Sequence, residues 1–306
     1  MRIVFCGTPE FSVQPLMQLI KQKYNVVAVY TQPDRGVGRG RKIQFSAVKE
    51  YALQQNIDVI QPHSLKDNNA IQELHDLKPD LLIVVAYGLI LPQEVLDIPK
   101  ISCWNIHASL LPRWRGAAPI HRALLAGDKT TGVGIMKMEA GLDTGPVFIQ
   151  HECAITPLET IQNLHDKLSH MGAHALIECL ELLENNLLPT PMTQDEKNVI
   201  YAHKLKKSEA NVSWNESAEQ INCKTRALNP WPGVLVEIAG ETYKIWQSSV
   251  VFIESNVNAG NIVKADKNSL VIQCKNSQLE INIIQKPGKK QMPINQFMAS
   301  KTNWYT

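Results

Sequence analysis

Short apolar runs alternate with amphipathic stretches along the first half of the chain. The runs are rich in Val, Ile and Leu, as buried strands are, and span residues 2–6, 26–30, 57–60, 81–86, 101–106 and 133–138. Segments with apolar residues at helical spacing lie between the first of them, at residues 13–21, 47–55 and 69–77. Strands that alternate with helices favour a parallel sheet covered by helices on both faces. The first part of the chain is therefore predicted to be a Rossmann-like α/β domain.

The pattern changes after a long amphipathic stretch at residues 160–184, which predicts one helix. Residues 189–207 contain two prolines, a mixed charge run and no sustained period, so we predict a linker there. Beyond it, short strand candidates separated by turn residues lie at 234–238, 242–246, 250–253, 260–265, 269–273 and 278–285. Short strands at this spacing predict a small β-barrel or sandwich.

The composition of the 306 residues, 44% hydrophobic and 20% charged, is that of a globular protein. No apolar run approaches the roughly 20 residues that a membrane-spanning helix needs. The N-terminus lacks a small-residue cleavage site and is interpreted as a buried first strand. The six cysteines form no Cys-x-x-Cys pair, which is typical of reduced structural thiols in a cytosolic protein. We therefore expect a cytoplasmic location and no association with a membrane.

The net charge of +2 conceals an uneven distribution. Residues 1–199 carry 18 Lys and Arg against 21 Asp and Glu, whereas residues 200–306 carry 13 against 8. Residues 35–42 include four cations and three glycines without an acidic residue. Such a stretch is either a solvated loop or a loop that binds phosphates, and its position after the second strand favours the second interpretation. The basic second part of the chain also indicates a polyanionic partner.

Two polar side chains stand at the end of the predicted strand 101–106. Asn105 and His107 alternate along the chain, so both can project from one face at the carboxyl edge of a parallel sheet. Asp143 follows in a Gly-Leu-Asp-Thr-Gly loop after the next strand candidate. An amide can stabilise a carbonyl oxyanion, an imidazole can transfer a proton, and a carboxylate can orient the imidazole. Together these residue types indicate acyl transfer without a protein nucleophile.

Other motifs leave their alternatives open. Ser109-Leu110-Leu111-Pro112 is either a plain turn or a wall that presents backbone groups to a planar heterocycle. The stretch 113–119 is basic and aromatic, and its spacing fits an exposed loop as well as a binding loop. Gly7-Thr8-Pro9 lacks the further glycines of a nicotinamide-dinucleotide site, so a tight turn is the better interpretation. His170 and His174 are one helical turn apart without a third ligand, so no metal site is predicted.

The run Asn-Ile-His-Ala-Ser-Leu-Leu-Pro from Asn105 to Pro112, together with Asp143 in its glycine-containing loop, resembles the folate-dependent formyltransferase superfamily. Members of this superfamily use 10-formyltetrahydrofolate and share an Asn-His-Asp catalytic set. The resemblance implies that Asn105, His107 and Asp143 are catalytic. It also implies folate binding by the loop after the central strand and by the Ser-Leu-Leu-Pro segment. The residues concerned are Tyr87, Gly88, Leu89, Ile90, Leu91, Pro92, Ser109, Leu110, Leu111 and Pro112.

Further motifs resemble the branch of the superfamily whose acceptor is initiator Met-tRNA. They are Phe5-Cys6-Gly7-Thr8-Pro9-Glu10-Phe11, Gln32-Pro33-Asp34-Arg35, Tyr201-Ala202-His203-Lys204-Leu205 and Arg226-Ala227-Leu228-Asn229-Pro230-Trp231-Pro232-Gly233. This likeness implies tRNA contacts from the basic loop and from a second basic stretch, at Arg35, Arg39, Arg41, Lys42, Lys204, Lys206 and Lys207. The implied organisation is a catalytic domain at residues 1–188, a linker at 189–207 and an OB-like tRNA-binding domain at 208–306.

The resemblance also implies a mechanism. Asn105 would donate its amide to the developing oxyanion, assisted by protonated His107, which would then move a proton from the attacking amine to the departing folate nitrogen. Asp143 would keep His107 charged and aligned. Three alternatives stay open: a formyltransferase for a small amine, a hydrolase of the formyl folate, and a non-catalytic RNA-binding module. We expect a monomer, because no exposed heptad or long apolar edge requires a partner.

Overall fold

The computed structural model describes residues 1–37 and 42–304. This part of the chain divides into two compact units. The first comprises Met1–Pro119, Thr130–Ala154 and His165–Ala202, and the second comprises Ile120–Lys129, Ile155–Leu164 and the chain from His203 onward. The domain boundaries expected at residues 188 and 208 stay predictions. No helix within the described ranges is long and apolar enough to cross a membrane.

The first unit is built on a mixed β-sheet. Its strands are β1 (Arg2–Gly7), β2 (Asn25–Tyr30), β3 (Arg35–Val37), β4 (Lys42–Gln44), β5 (Val59–Ile60), β6 (Leu81–Val85), β7 (Ser102–His107), β8 (Arg113–Gly116), β9 (Thr130–Lys137), β10 (Val147–Ala154) and β11 (Ile200–Ala202). The main sheet has the order β10-β9-β7-β6-β1-β2-β5, while β3 pairs with β4 and β8 pairs with β11. The strands from β7 to β5 in this order are parallel, and β9 and β10 extend the sheet in antiparallel fashion.

The helices that alternate with these strands are α1 (Val13–Lys21), α2 (Ala47–Gln54), α3 (Asn68–Asp76), α4 (Gln93–Leu96), α5 (Pro119–Ala126) and α6 (Ile161–Glu184). Helices α2 and α3 begin after Ser46 and Asp67, whose side chains accept hydrogen bonds from backbone N–H groups of the first turn. All residues of β6 are apolar and buried, as a central strand requires. Because β6 and β7 are parallel neighbours, the segments that follow them leave the sheet at the same edge.

The α/β prediction for the first part of the chain is confirmed, and each predicted strand and helix there overlaps an observed one. The hydrophobic pattern missed β3, β4, β8, β10 and β11. Strand β8 lies in the stretch that fits an exposed loop, and β11 lies in the predicted linker. Within residues 1–37 and 42–304 these two short strands pair with each other alone, and both are too short to show the sustained alternation of a longer strand.

The second unit contains an antiparallel sheet with the order β12-β13-β16-β15-β14, and β17 pairs with β16. The elements are β12 (Leu235–Ile238), β13 (Glu241–Val251), β14 (Ile262–Ala265), β15 (Leu270–Gln273), β16 (Gln278–Gln285), β17 (Met292–Pro293), α7 (Ala218–Leu228) and α8 (Ile294–Met298). Helix α7 begins with a capping box between Ser217 and Gln220. The prediction of a β-rich second domain is confirmed, and within the described residues the strand path runs open from β12 to β14.

One strand of this sheet replaces two predicted ones. The sequence predicts separate strands at residues 242–246 and 250–253, because the polar residues between them suggest a turn. Instead β13 runs through this polar region and pairs with β16. Its pairing register shifts between Ile245 and Gln247 and again between Gln247 and Ser248. These irregularities absorb the break in alternation, since a bulge adds a residue without ending the strand.

Candidate active site

The candidate site begins with two polar side chains on β7. Asn105 and His107 are buried, and they project from the same face because strand positions two apart share a face. Strand β7 lies between β6 and β9 in the main sheet, so hydrogen bonds on both of its edges fix its backbone. The sheet therefore holds the amide and the imidazole at fixed positions.

Asp143 completes the predicted set. It lies in the loop between β9 and β10, with a left-handed backbone conformation at φ 52°. The Nδ2 atom of Asn105 is 3.4 Å from Oδ1 of Asp143, and Nδ1 of His107 is 3.6 Å from Oδ2. Each carboxylate oxygen thus faces one of the two polar side chains of β7. The structure brings together the three residues that the sequence analysis singled out.

Strand β8 supplies further contacts to this group. Nε2 of His107 donates a hydrogen bond to the backbone carbonyl of Trp114 at 2.9 Å. The backbone N–H of Gly116 donates to Oδ2 of Asp143 at 2.8 Å. Both nitrogens of His107 therefore face acceptor oxygens, an arrangement in which a doubly protonated imidazole can donate in two directions. Such a ring is held in one orientation, as a proton-transfer group requires.

Sequence reasoning missed the polar residues behind the Asp143 loop. Gln194 donates from Nε2 to the backbone carbonyls of Asp143 at 2.9 Å and Gly145 at 2.7 Å. Its Oε1 accepts a hydrogen bond from Nε of Arg115 at 2.9 Å. The guanidinium of Arg115 also forms two hydrogen bonds to Glu196, which raise its pKa and lower the pKa of the Glu196 carboxyl group. The buried Arg115 and Gln194 and the exposed Glu196 thus form a polar network that reaches the candidate catalytic loop.

The signal for this network in the sequence is weak. Arg115 is fully buried although it sits in a stretch that reads as an exposed basic loop. Gln194 lies 79 residues further along the chain, in the predicted linker. From the sequence alone such an arginine is predicted to lie at the surface, because Arg is rarely buried unless it has a charged or polar partner. The pairing of β8 with β11 and the bridge between Val147 and Met192 hold the Gln194 segment beside β8 and the end of the Asp143 loop.

The two predicted folate segments leave the sheet side by side, after β6 and β7. In the first, Tyr87 and Leu91 are buried in the core cluster of the sheet, whereas Ile90 is 76% exposed. Gly88 has a positive φ of 85°, which suits glycine. The side chains of Tyr87 and Leu91 thus support the loop from below, and Ile90 is its accessible apolar side chain.

In the second segment, the Ser109 hydroxyl is buried and donates to the carbonyl of Arg113 at 2.6 Å. The carbonyl of Leu111 accepts a hydrogen bond from Gln150 at 3.3 Å, and its side chain is buried. Leu110 and Pro112 are half-buried. The segment is therefore an ordered turn that connects β7 to β8, and its role in folate binding stays a prediction.

The predicted basic loop lies on the hairpin formed by β3 and β4. Arg35 is exposed and donates to the side chain of Gln32 at 2.8 Å. Asp34, just before the hairpin, is 2.6 Å from Nζ of Lys49, and hydrogen bonds from Lys49 and Gln61 lower its pKa. Arg39, Arg41 and the side chain of Lys42 lie outside the described residues. The base of the hairpin is thus fixed by a polar cluster.

The candidate lysines after the first unit are exposed. They are Lys204, Lys206 and Lys207 in the second unit. Arg122 holds this stretch by hydrogen bonds to the carbonyls of His203 and Lys204 and to the Glu209 carboxylate. Arg226, on α7, donates a hydrogen bond to the backbone carbonyl of Glu159 in the same unit. Among the described residues, no group of three or more His, Cys, Asp or Glu side chains could hold a metal ion.

Comparisons with known proteins bear on both units. The family model described as "Formyl transferase" matches residues 1–180, and "Formyl transferase, C-terminal domain" matches residues 204–302. A curated protein from Pseudoalteromonas translucida, named methionyl-tRNA formyltransferase, is 46% identical over 308 residues, which cover 100% of this chain and 96% of the relative. A protein of the same name from Nitrosomonas eutropha is 46% identical over 299 residues, which cover 98% and 94%.

A solved structure shares the fold. It is the N-formyltransferase from Helicobacter canadensis in complex with folinic acid and dTDP-3-aminofucose, with a TM-score of 0.69 and 18% identity. The match covers 91% of this chain and 98% of that chain. At this level of identity, the likeness supports the fold and not the choice of substrate.

Proposed function

The chain belongs to the formyl transferase family, and we propose that it transfers a formyl group from 10-formyltetrahydrofolate to the α-amino group of methionine on initiator tRNA. This reaction prepares the charged tRNA for translation initiation. The observation that supports the chemistry is the convergence of Asn105, His107 and Asp143 at one edge of the sheet. The acceptor is supported by the relatives that match nearly the whole chain at 46% identity and carry this activity in their names.

Asn105 stabilises the charge that develops during the reaction. When the amine attacks the formyl carbon, the carbonyl oxygen becomes negative and needs a hydrogen-bond donor. The contact from Asn105 to Asp143 is long, at 3.4 Å, so its amide keeps donor capacity for that oxygen. Removal of one such donor typically costs about 100- to 1,000-fold in rate.

His107 carries the proton. The attacking nitrogen must lose a proton and the departing folate nitrogen must gain one. If His107 accepts the first proton and donates the second, its protonation state is the same before and after the reaction. General acid–base catalysis of this kind contributes about 100- to 10,000-fold. Asp143 orients the imidazole from the Nδ1 side, while the Trp114 carbonyl contacts Nε2.

The segment after β6 fits a folate because it offers an exposed glycine beside an exposed apolar side chain, and the segment after β7 leaves the same edge of the sheet as an ordered turn. We assign the folate to Tyr87, Gly88, Leu89, Ile90, Leu91, Pro92, Ser109, Leu110, Leu111 and Pro112, as the family resemblance implies. Tyr87 and Leu91 are buried in the core and support the loop, while Gly88 and Ile90 are exposed and can contact the folate directly. The folate supplies the activated formyl group when it is bound.

The tRNA is assigned to basic residues in both halves of the chain. They are Arg35, Arg39, Arg41, Lys42, Lys204, Lys206 and Lys207. Residues 1–188 then act as the catalytic domain, residues 189–207 as the linker, and residues 208–306 as the OB-like tRNA-binding domain. We further propose that the enzyme works as a cytoplasmic monomer.

Transfer of labelled formyl from 10-formyltetrahydrofolate distinguishes the candidate functions. The acceptors are initiator Met-tRNA, free methionine and glycinamide ribonucleotide, with release of free formate measured in parallel. We expect product on the charged tRNA alone. Transfer to a small amine only would assign the site to a small-amine formyltransferase, and formate release without transfer would assign it to a hydrolase. Binding of tRNA without either reaction would leave an RNA-binding module.

A further inference from the structure

Gln194 is a buried glutamine outside the main sheet. Its side chain forms hydrogen bonds to the loop that carries Asp143 and to Arg115 on β8. Both hydrogens of its amide are used, one on the carbonyl of Asp143 and one on the carbonyl of Gly145. We propose that Gln194 is a positioning residue for the reaction, which fixes the backbone of the Asp143 loop, and that Arg115 orients Gln194 for this purpose. The proposal rests on the catalytic role of Asp143 in the function proposed above.

The Asp143 loop needs an external hold because its own backbone is unusual. A non-glycine residue at a positive φ, here 52°, is strained relative to ordinary conformations and persists only where the surroundings fix it. Gln194 fixes the backbone of Asp143 from one side. The N–H of Gly116 and the amide of Asn105 hold the carboxylate from the other. The side chain and the main chain of Asp143 are therefore restrained independently.

Arg115 determines which way the Gln194 amide points. Oε1 of Gln194 accepts from Nε of Arg115 at 2.9 Å, so Nε2 must face the two carbonyls. Glu196 binds the remainder of the guanidinium with hydrogen bonds of 2.7 and 3.2 Å. A rotated amide would place its NH₂ group against the arginine and its oxygen against two carbonyl oxygens. The arginine thus excludes the inverted orientation.

The same short strand serves every member of this arrangement. The carbonyl of Trp114 contacts His107, the side chain of Arg115 contacts Gln194, and the N–H of Gly116 contacts Asp143. Consecutive residues of β8 therefore set the imidazole, the loop and the carboxylate in relation to one another. Displacement of the loop by a fraction of an ångström changes the alignment of Asp143 with His107, and misplacement by about 1 Å costs on the order of 100-fold in rate.

Two substitutions test the role. Gln194→Met keeps the length and removes all hydrogen bonds. Gln194→Glu keeps the shape and the contact to Arg115, but an ionised carboxylate cannot donate to the carbonyls of Asp143 and Gly145. For both variants we expect kcat on Met-tRNA to fall by about 10- to 100-fold, with KM for the folate and for the tRNA changed by less than about twofold. The purified full-length protein is used, and its thermal midpoint is measured beside kinetics.

Asn222 provides a matched control in the second unit. Its amide donates to the backbone carbonyl of Ser248 and its oxygen accepts from Nε of Arg226, so it resembles Gln194 in its contacts. Asn222→Leu should lower the thermal midpoint and leave kcat unchanged. An equal loss of kcat in this variant would show that general loosening, and not positioning, explains the effect at Gln194.

The remaining outcomes separate this inference from the proposed function. Asp143→Ala is measured in parallel, and its activity on Met-tRNA must be lost for the catalytic role to stand. If Asp143→Ala is inactive while Gln194→Glu has the wild-type kcat, whatever its thermal midpoint, the positioning role is overturned and the proposed function is retained. If Asp143→Ala keeps its activity, the proposed site itself is overturned. A rise in KM at constant kcat for Gln194→Glu would assign Gln194 to substrate binding and overturn the proposal.

Discussion

Asn105 is an amide buried on a central strand whose hydrogen bonding is incomplete. Its Nδ2 has a 3.4 Å contact to Asp143, which is at the weak end of the range for a hydrogen bond. Burial of a polar group without a good partner costs about 1–3 kcal/mol, so stability alone would favour an apolar residue here. The residue is better explained by a ligand that completes its hydrogen bonding.

At the scale of single residues, we expect Asn105→Ala and Asp143→Ala to lower kcat by about 100- to 1,000-fold. The tRNA dissociation constant should stay close to the wild-type value, because neither side chain belongs to the assigned tRNA contacts. Single-turnover kinetics and a filter-binding titration of Met-tRNA measure the two quantities. A parallel loss of tRNA binding in both variants would make these residues structural.

The proximity of Asn105, His107 and Asp143 could be predicted from the sequence, while the residues that hold them in place could not. Asn105 and His107 are two positions apart on one strand, so a local pattern is enough to place them together. Gln194 and Arg115 meet through pairings between distant segments, β8 with β11 and Val147 with Met192, which no single stretch indicates alone. A buried arginine in a basic stretch looks like a surface residue until its partner is known.

At the scale of secondary-structure elements, the loop between β9 and β10 depends on a glycine that allows two backbone segments to approach closely. Gly145 ends the loop that carries Asp143, where a Cβ atom would lie 1.8 Å from the carbonyl oxygen of Lys137. Gly145→Ala should therefore displace the loop, and overpacking of this kind costs about 1–3 kcal/mol or more. We expect a lower thermal midpoint together with a lower kcat.

Gly240 is the control for this substitution. It has a positive φ of 78° with nothing near its Cβ position, so Gly240→Ala carries backbone strain of about 1–2 kcal/mol and no steric clash. Its kcat should be that of the wild type. If Gly145→Ala also retains full kcat, the loop tolerates displacement and the alignment of Asp143 is less demanding than its contacts indicate.

The ion pair between Arg122 and Glu209 fixes the stretch around residues 203–209 in the second unit, and its strength depends on pH. Arg122 on α5 forms hydrogen bonds to Glu209 that hold the pKa of this carboxyl group below its ordinary value of 4.5. A carboxyl group with a lowered pKa in the folded state adds stability above its unfolded pKa, and this contribution is lost as the pH falls through the folded value. The contact therefore stabilises the unit at neutral pH and ceases to do so in acid.

We expect Glu209→Gln to be less stable than the wild type at pH 7 by about 1 kcal/mol, and the difference should shrink as the pH falls below 4.5. Thermal unfolding at several pH values measures this. Glu237→Gln, at an exposed position of β12, is the control and should match the wild type throughout. A gap between Glu209→Gln and the wild type that is constant with pH would refute the linkage.

Charge acts at the scale of the whole molecule. If the basic hairpin binds phosphates, Arg39→Ala with Arg41→Ala should weaken tRNA binding and reduce the salt slope of log Kd by about 2, since each phosphate contact contributes roughly 0.9. The control is Lys21→Ala with Lys100→Ala, which removes the same amount of charge. These two lysines precede the amino ends of β2 and β7, whereas the hairpin follows the carboxyl end of β2. This control should leave the slope nearly unchanged. Equal slopes in both double variants would assign the effect to net charge and not to the hairpin.

The position of Gln194 in the chain has a consequence for how activity can be lost. The network around it is held by a stretch that follows the last helix of the first unit, and residues 185–187 at the start of this stretch are exposed. A single proteolytic cut there would leave the main sheet and its core covalently intact. The cut would nevertheless free Gln194 from its chain connection to α6, so that the stretch carrying it would be held by the bridge between Met192 and Val147 and by the β8–β11 pairing. Nicked protein of this kind would keep its secondary structure by circular dichroism while its catalytic rate declines.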